Sequence, residues 1–188
     1  MRDFLRTAAR WLFWLWAPVP VVLIGLLLSG HLLTLPKPST IRVEGEGWRA
    51  LHVLAIKCAC SRGVIEHLIS RGAVRGVTEK VVLIGEDLAS MKRLRAAGYE
   101  VEALSSAAVK ARYGIEGAPL LAVVNPQQDL VYSGGYSRQA RGTPEDLAIF
   151  ATVQAGNGAA SLPLYGCATT RELQAQLDPM GLKYGGGE

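Results

Sequence analysis

An uncharged apolar stretch near the N-terminus does most to limit what this chain can form. Residues 11–36 contain no Asp, Glu, Lys or Arg. As a helix rising about 1.5 Å per residue, this stretch would exceed the roughly 30 Å hydrocarbon core of a bilayer, although Pro18 and Pro20 are expected to kink or delay it. Three arginines precede it, and by the positive-inside rule they place the N-terminus in the cytoplasm. The stretch therefore predicts a single-pass transmembrane helix in the inner (cytoplasmic) membrane.

This prediction divides the chain into four parts. We expect a basic cytoplasmic N-terminus at 1–10, a transmembrane anchor at 11–35, a linker at 36–47 and an extracytoplasmic, periplasmic domain at 48–188. Pro36 and Pro38 favour a stiff, extended linker. The alternative to an anchor is a cleaved secretory signal, but the apolar stretch is long for a signal and offers only a poor cleavage site.

Composition limits the partners of the body of the chain. Because 49% of the residues are apolar and 19% are charged, the chain can bury a core. The net charge is +4, and no basic run continues beyond the N-terminal arginines, so we expect no nucleic-acid partner. Three cysteines are too few for a disulfide-stapled miniprotein, and their odd number forbids complete pairing within the chain.

Strand and helix patterns alternate through the first part of the body. Apolar runs predict strands at 48–56, 80–85, 99–104 and 120–124, with 130–133 as the hairpin partner of the last. Helix patterns follow Cys58 as far as Gly72 and recur at 87–97, 105–113, 143–154 and 170–177, with Thr143 as the N-cap of the fourth helix. This order predicts an α/β fold with a mixed sheet flanked by helices.

Two cysteines lie where the first predicted strand passes into a helix. Cys58 follows the strand at once, and Cys60 comes two residues later. The partial positive charge and unpaired N–H groups of a helix N-terminus favour a thiolate, which attacks disulfides and binds soft metals. The pattern indicates a redox or metal site. The alternative is one buried structural cysteine and a second cysteine without a functional role.

Pro119 and Cys167 are the other candidate site residues. Pro119 directly precedes the strand at 120–124, and its position resembles that of the cis-proline that keeps the substrate groove open in thioredoxin-like proteins. A trans-proline starting an edge strand is the alternative. Cys167 could pair with Cys58 or Cys60, provide a third thiolate for copper, or be a buried thiol.

The remaining ionisable residues near these positions are interpreted as structural. We expect His31, His52 and His67 to have structural roles, His67 despite lying on the helical face of Cys60. Lys57 is expected to lower the pKa of the adjacent Cys58 modestly.

At these residues the chain resembles the thioredoxin-like superfamily, over about 48–177. Within it, Cys-Ala-Cys-Ser-Arg at 58–62 resembles the Cys-Pro-Cys-Ser/Thr-Arg motif of membrane-anchored RedB-type proteins. Tyr-Ser-Gly-Gly at 132–135 and Leu-Tyr-Gly-Cys at 164–167 resemble that group's later Ser-Gly-Gly and Phe-Gly-Cys segments. The resemblance implies a membrane-bound thioredoxin-like domain. Ser61 stands where the superfamily has its resolving cysteine, which leaves Cys60 or Cys167 for that role.

Three functions follow from these residues. The first is an anchored thiol-disulfide oxidoreductase without a cofactor, in which Cys58 attacks a protein disulfide, Cys60 or Cys167 resolves the mixed disulfide, and Pro119 holds the partner chain. The second is a Cu(I)-binding, metallochaperone-like protein for respiratory enzyme assembly, with Cys58 and Cys60 as ligands. The third is a non-catalytic adaptor that uses the groove only for binding.

Overall fold

The N-terminal region contains two helices in place of the single predicted one. The computed structural model describes residues 2–32, 34–38, 41–140 and 142–185. Helix α1 (Arg2–Trp16) and helix α2 (Pro18–Leu32) are 15 residues each. They are separated at Ala17, because the residue before a proline is disfavoured in helical conformation. Within the described residues, no individual helix combines the length and apolar character needed to cross a bilayer.

The body is built on a five-stranded mixed sheet, as the sequence predicts. Its strands are β1 (Trp48–Ala55), β2 (Val77–Ile84), β3 (Glu100–Leu104), β5 (Leu120–Val124) and β6 (Leu130–Gly134), in the spatial order β3-β2-β1-β5-β6. The pairs β1–β2 and β2–β3 are parallel, whereas β5 is antiparallel to both β1 and β6. Strand β1 therefore lies at the centre of the sheet.

A second ladder of only two strands was not predicted. Strand β4 (Gly117–Ala118) pairs antiparallel with β7 (Cys167–Ala168), and Ala118 lies opposite Cys167. Strands this short leave no periodic pattern in a sequence. Their pairing brings the chain around Cys167 to the position just before Pro119.

Five helices flank the sheet. They are α3 (Ala59–Arg71), α4 (Leu88–Ala96), α5 (Ser106–Tyr113), α6 (Asp146–Gln154) and α7 (Arg171–Leu177). The side chains of Asp87, Ser105 and Thr170 accept backbone N–H bonds and cap α4, α5 and α7.

The predicted start of α6 is wrong. Thr143 does not cap it: the helix begins at Asp146, and its N-cap residue Glu145 makes no side-chain capping bond. The backbone N–H of Glu145 instead donates to the Tyr136 carbonyl at 2.7 Å. The Asp146 carboxylate, completely buried, is used for ion pairs with α3. A tertiary contact has therefore replaced a local capping signal.

The side chains of β1 alternate between two cores. Ala50 and Leu54 pack with apolar residues of α3, α4 and α6 on one face. Leu51 and Val53 pack with residues of α5 and α7 on the other. This alternation explains why most residues of the segment 48–56 are apolar, since both faces of the strand are covered.

The described part of the predicted linker lies along the domain, together with Leu35, the last residue of the predicted anchor. Leu35 and Ile41 are both 5% exposed and belong to the core on the α5 side. The Leu35 N–H donates to the Leu164 carbonyl at 2.9 Å, and the Ser133 hydroxyl donates to the Pro38 carbonyl at 3.2 Å. The packed unit therefore includes residues before Trp48.

Candidate functional site

Cys58 is the N-cap residue of α3, at the carboxyl end of the central strand. The turn that connects them is closed by Ser61, whose hydroxyl accepts the Ala55 N–H at 3.0 Å and which is completely buried. The serine at the usual resolving position is thus a structural residue. The predicted junction of strand, cysteine and helix is confirmed.

Pro119 follows a cis peptide bond, as predicted, and lies close to Cys58. The Ala118–Pro119 bond is cis, and the Ala118 carbonyl oxygen is 3.9 Å from the Cys58 sulfur. A Cβ atom built on Gly166 would lie 1.9 Å from that carbonyl oxygen, so only glycine fits there. Glycine at this position lets the β7 segment approach the proline closely.

The thiols of Cys60 and Cys167 both contact the sulfur of Cys58. The Cys58 sulfur accepts hydrogen bonds from the thiols of Cys167 and Cys60, and these bonds lower its pKa far below the usual range against the opposing effect of burial. Backbone N–H groups of Ser61 and Cys60 act in the same direction. Lys57, which we expected to lower this pKa, is not one of those causes. The contact with Cys58 also raises the pKa of Cys167, since the neighbouring negative charge favours the protonated thiol.

The cysteines differ in accessibility. Cys58 is 2% exposed, whereas Cys60 and Cys167 are half-buried. All three lie in the described part of the chain and are thiols rather than disulfides.

Two separate cavities border this cluster. The first, of about 210 Å³, contains Cys60 and Pro119 in its lining and is hereafter called the proline groove. Tyr136, Pro163 and Tyr165 complete its walls. The second, of about 660 Å³, is hereafter called the β7 cavity; its lining includes Cys58, Cys167, Lys183 and Tyr184. The two linings share no residue.

The structure offers few ligands for a metal. Among the described residues, no group of three or more His, Cys, Asp or Glu side chains is arranged to hold a metal ion. A Cu(I) site with Cys58 and Cys60 as ligands stays a prediction.

The described histidines have structural partners, as expected. His52 is completely buried, with Nδ1 2.7 Å from the Tyr136 hydroxyl and Nε2 2.9 Å from the Glu79 carboxylate. His67 Nε2 lies 2.8 Å from Asp146. The side chain of His31 is outside the described part of the structure.

A buried network of charges, not predicted from the sequence, supports α3. Arg71, in the last turn of this helix, donates to the carboxylates of Glu79 on β2 and Asp146 on α6, at 2.5 and 2.7 Å. Burial alone would raise the pKa of Glu79, but hydrogen bonds from His52 and Arg71 lower it to about 2. Because Tyr136 contacts His52 and also lines the proline groove, the network extends from the far end of α3 to the groove.

Comparison with solved structures agrees with this architecture. An uncharacterised conserved protein from Geobacillus kaustophilus is similar with a TM-score of 0.54 at 14% identity, over 73% of this chain and 90% of that one. A hypothetical protein from Sinorhizobium meliloti gives a TM-score of 0.54 at 18% identity, over 66% and 79%. A thioredoxin-like protein solved in its oxidised form is similar with a TM-score of 0.46 at 14% identity, over 68% and 97%. The chain matches no protein-family model and no curated protein.

The architecture and the site together define a class. A central strand leads to a cysteine at a helix N-terminus, parallel partners lie on one side of that strand, and an antiparallel hairpin preceded by a cis-proline lies on the other. The fold is that of a thioredoxin-like α/β protein.

Proposed function

We propose that this protein is a membrane-anchored, extracytoplasmic thiol-disulfide oxidoreductase that acts on protein thiols or disulfides. The observation that carries the proposal is the place of the Cys58 sulfur, at the N-terminus of α3 and beside Pro119, where two neighbouring thiols lower its pKa. A stabilised thiolate is the species that thiol-disulfide exchange requires. A purely structural cysteine has no need of two further thiols around it.

The proline groove supports a protein substrate. It is lined by the tyrosines at 136 and 165 and by prolines, and it contains the half-buried Cys60. An extended peptide could lie against such a wall with its disulfide beside Cys60. Cys58, at 2% exposure, would be out of reach of that peptide. We therefore assign the first attack to Cys60 and the resolving step to Cys58, the reverse of the order expected from the sequence.

The thiol-disulfide exchange conserves atoms and electrons with these two cysteines and the substrate alone. Cys60 attacks one sulfur of the substrate disulfide and gives up its proton, which the first leaving thiolate takes up. The Cys58 thiolate then attacks the Cys60 sulfur of the mixed disulfide and releases the second substrate thiolate. The products are a Cys58–Cys60 disulfide and a reduced substrate, so two electrons leave the protein.

The uncharged stretch at 11–36 supports membrane anchoring, and the arginines before it support a periplasmic domain. The resemblance of three short sequence segments to those of RedB-type proteins supports the same placement. Carbonate extraction of membranes, followed by reaction of intact cells with an impermeant maleimide, tests this part. We expect the chain to stay in the membrane fraction and its cysteines to be labelled from outside; release by carbonate would contradict the anchor.

The exchange itself is tested with the full chain in detergent micelles and a fluorescent disulfide-containing peptide. We expect Cys58→Ser to reduce the rate at least 100-fold, because serine retains the packing but cannot form a disulfide. Ser61→Ala, which removes the neighbouring hydroxyl but no thiol, is the matched control for disturbance of the α3 turn. An unchanged rate in Cys58→Ser would refute the proposed function, and peptide binding without exchange in the wild type would indicate an adaptor.

A further inference from the structure

Cys167 occupies a position that the exchange described above does not use. The β4–β7 ladder places it opposite Ala118, and its thiol donates to the Cys58 sulfur. Gly166, where a side chain would collide with the Ala118 carbonyl, permits this approach. The ladder and the glycine together bring a third thiol, distant in sequence, onto the buried one.

The two outer thiols border different cavities. Cys60 lines the proline groove, and Cys167 lines the β7 cavity. Cys58 lies between them and contacts both thiols. A molecule in the β7 cavity could therefore reach Cys167 without entering the groove where a substrate peptide would lie.

We propose, on the basis of the proposed function, that the three cysteines form a relay with two openings. Cys60 exchanges with a protein disulfide in the proline groove, Cys167 exchanges with a separate dithiol reductant at the β7 cavity, and Cys58 passes the disulfide between them.

Each step of the relay conserves atoms and electrons. After substrate reduction the disulfide joins Cys58 and Cys60. The ionised Cys167 attacks the Cys58 sulfur, which forms the Cys58–Cys167 bond, breaks the Cys58–Cys60 bond and returns Cys60 as a thiolate that takes up the proton lost by Cys167. The dithiol then attacks the Cys167 sulfur, releases the Cys58 thiolate, and closes its own disulfide as Cys167 is released. Two electrons pass from the dithiol to the substrate in each cycle.

The charges around Cys167 give these steps an order. In the reduced protein the contact with Cys58 is the largest cause that raises the pKa of Cys167, while the positive charge of Lys183 lowers it. Once Cys58 is in a disulfide it carries no negative charge, so the largest cause disappears; burial still raises the pKa of Cys167, and Lys183 still lowers it. Cys167 therefore becomes a better nucleophile after the substrate has been reduced.

The relay is tested by following the position of the disulfide in time. The reduced full chain is mixed with the disulfide peptide, quenched with acid and N-ethylmaleimide at intervals, and mapped by peptide mass analysis. We expect the Cys58–Cys60 disulfide to form first and the Cys58–Cys167 disulfide to replace it, so that the Cys60 thiol becomes available for alkylation. In the Cys167→Ser variant the disulfide should remain between Cys58 and Cys60. Lys183→Gln should slow only the second step, at least threefold, whereas Lys92→Gln, an exposed lysine on α4, should not.

The outcomes separate this inference from the proposed function. If Cys58–Cys60 forms while Cys167 stays fully alkylated at every time, the relay is wrong and the exchange remains. If the peptide is not reduced at all, the proposed function fails and the relay with it. The second opening is tested with Cys60→Ser, oxidised by diamide to Cys58–Cys167 and then treated with dithiothreitol. We expect reduction within threefold of the wild-type rate, and a tenfold slower reaction would overturn the second opening.

Discussion

The two faces of the central sheet are covered by helices, yet they are stabilised differently. On the α5 side the buried side chains around Leu51 and Val53 are mainly apolar. The exception on β1 is Arg49, 1% exposed, whose guanidinium donates to the backbone carbonyls of Val43 and Asn125. On the α3 side the corresponding layer contains His52 on β1 and Glu79 on β2, joined to Arg71 and Asp146. The α5 face therefore relies mainly on packing, with a buried guanidinium bonded to backbone carbonyls, whereas the α3 face combines packing with ion pairs between side chains of different elements.

The charged face is the one whose helix carries Cys58 and Cys60. Helix α3 begins at the Cys58 turn and has Arg71 in its last turn, where it is bonded to both β2 and α6. Apolar packing tolerates small shifts of a helix, whereas a bidentate contact between a guanidinium and a carboxylate has a defined geometry. We infer that the network fixes the orientation of α3, and with it the position of the thiols, more strongly than packing would.

Removing the central cation should have the largest effect. In Arg71→Met the carboxylates of Glu79 and Asp146 stay buried without their main partner, and we expect a loss of about 3–5 kcal/mol in the free energy of unfolding. Chemical denaturation of the full chain in micelles, monitored by tryptophan fluorescence and circular dichroism, measures this loss.

A matched variant separates the charges from the volume. Adding Glu79→Gln and Asp146→Asn to Arg71→Met neutralises the two stranded carboxylates at nearly constant shape, so part of the lost stability should return. A loss below about 1 kcal/mol in the single variant would mean that the network contributes little, because removal of one partner from a buried ion pair is normally costly.

A cavity on the apolar face should have the next largest effect. Leu51 is completely buried, and Leu51→Ala should reduce the free energy of unfolding by about 3 kcal/mol through lost burial and an unfilled volume. Because this face does not hold α3, the exchange rate of the folded protein should stay within twofold of the wild type, in contrast to Arg71→Met. Equal impairment of exchange by both variants, at matched fractions folded, would contradict the division between the faces.

Acid should weaken the charged face selectively. Glu79 has a folded-state pKa of about 2 against an ordinary value of 4.5, so its contribution is complete above about pH 4.5 and is lost as the pH falls toward 2. Between these values the free energy of unfolding should fall more steeply in the wild type than in Glu79→Gln. Denaturation curves at intervals of half a pH unit measure the slope. Glu100→Gln, which removes an exposed glutamate of β3, is the control, and its slope should stay close to that of the wild type.

The difference between the faces also explains what could be predicted. The strands β1 and β5 are apolar runs because both of their faces are covered, so their positions follow from local composition. Cys58, Cys60 and Pro119 were identified because each is tied to the end of such a strand. The partner of Cys167 could not be chosen in this way, since its approach depends on two-residue strands and on Gly166.

The network of buried charges could not be predicted from the sequence either, because its members are brought together only by the packing of separate elements. Arg71 is 8 residues from Glu79 and 75 from Asp146, and each of these residues by itself is typical of a solvated surface. Asp146 lies in the first turn of α6, where an acidic residue favours the helix N-terminus, but this local position is not the reason for its burial. Only the packing of α6 against α3 turns it into an ion-pair partner.

The smallest expected effect concerns the point where the network meets the groove. Tyr136→Phe keeps the ring in the wall of the proline groove but removes the hydroxyl, 2.7 Å from His52. We expect a loss of about 1 kcal/mol in the free energy of unfolding, the usual net contribution of one hydrogen bond. If the network also positions the groove, the apparent KM for the disulfide peptide should rise while kcat stays close to the wild-type value.

Tyr132→Phe is the matched control, because it removes a hydroxyl on the same core face that is bonded to the Gly135 carbonyl at 2.6 Å. An equal change of KM in both variants would show that loss of a core hydroxyl, rather than the contact with His52, is responsible.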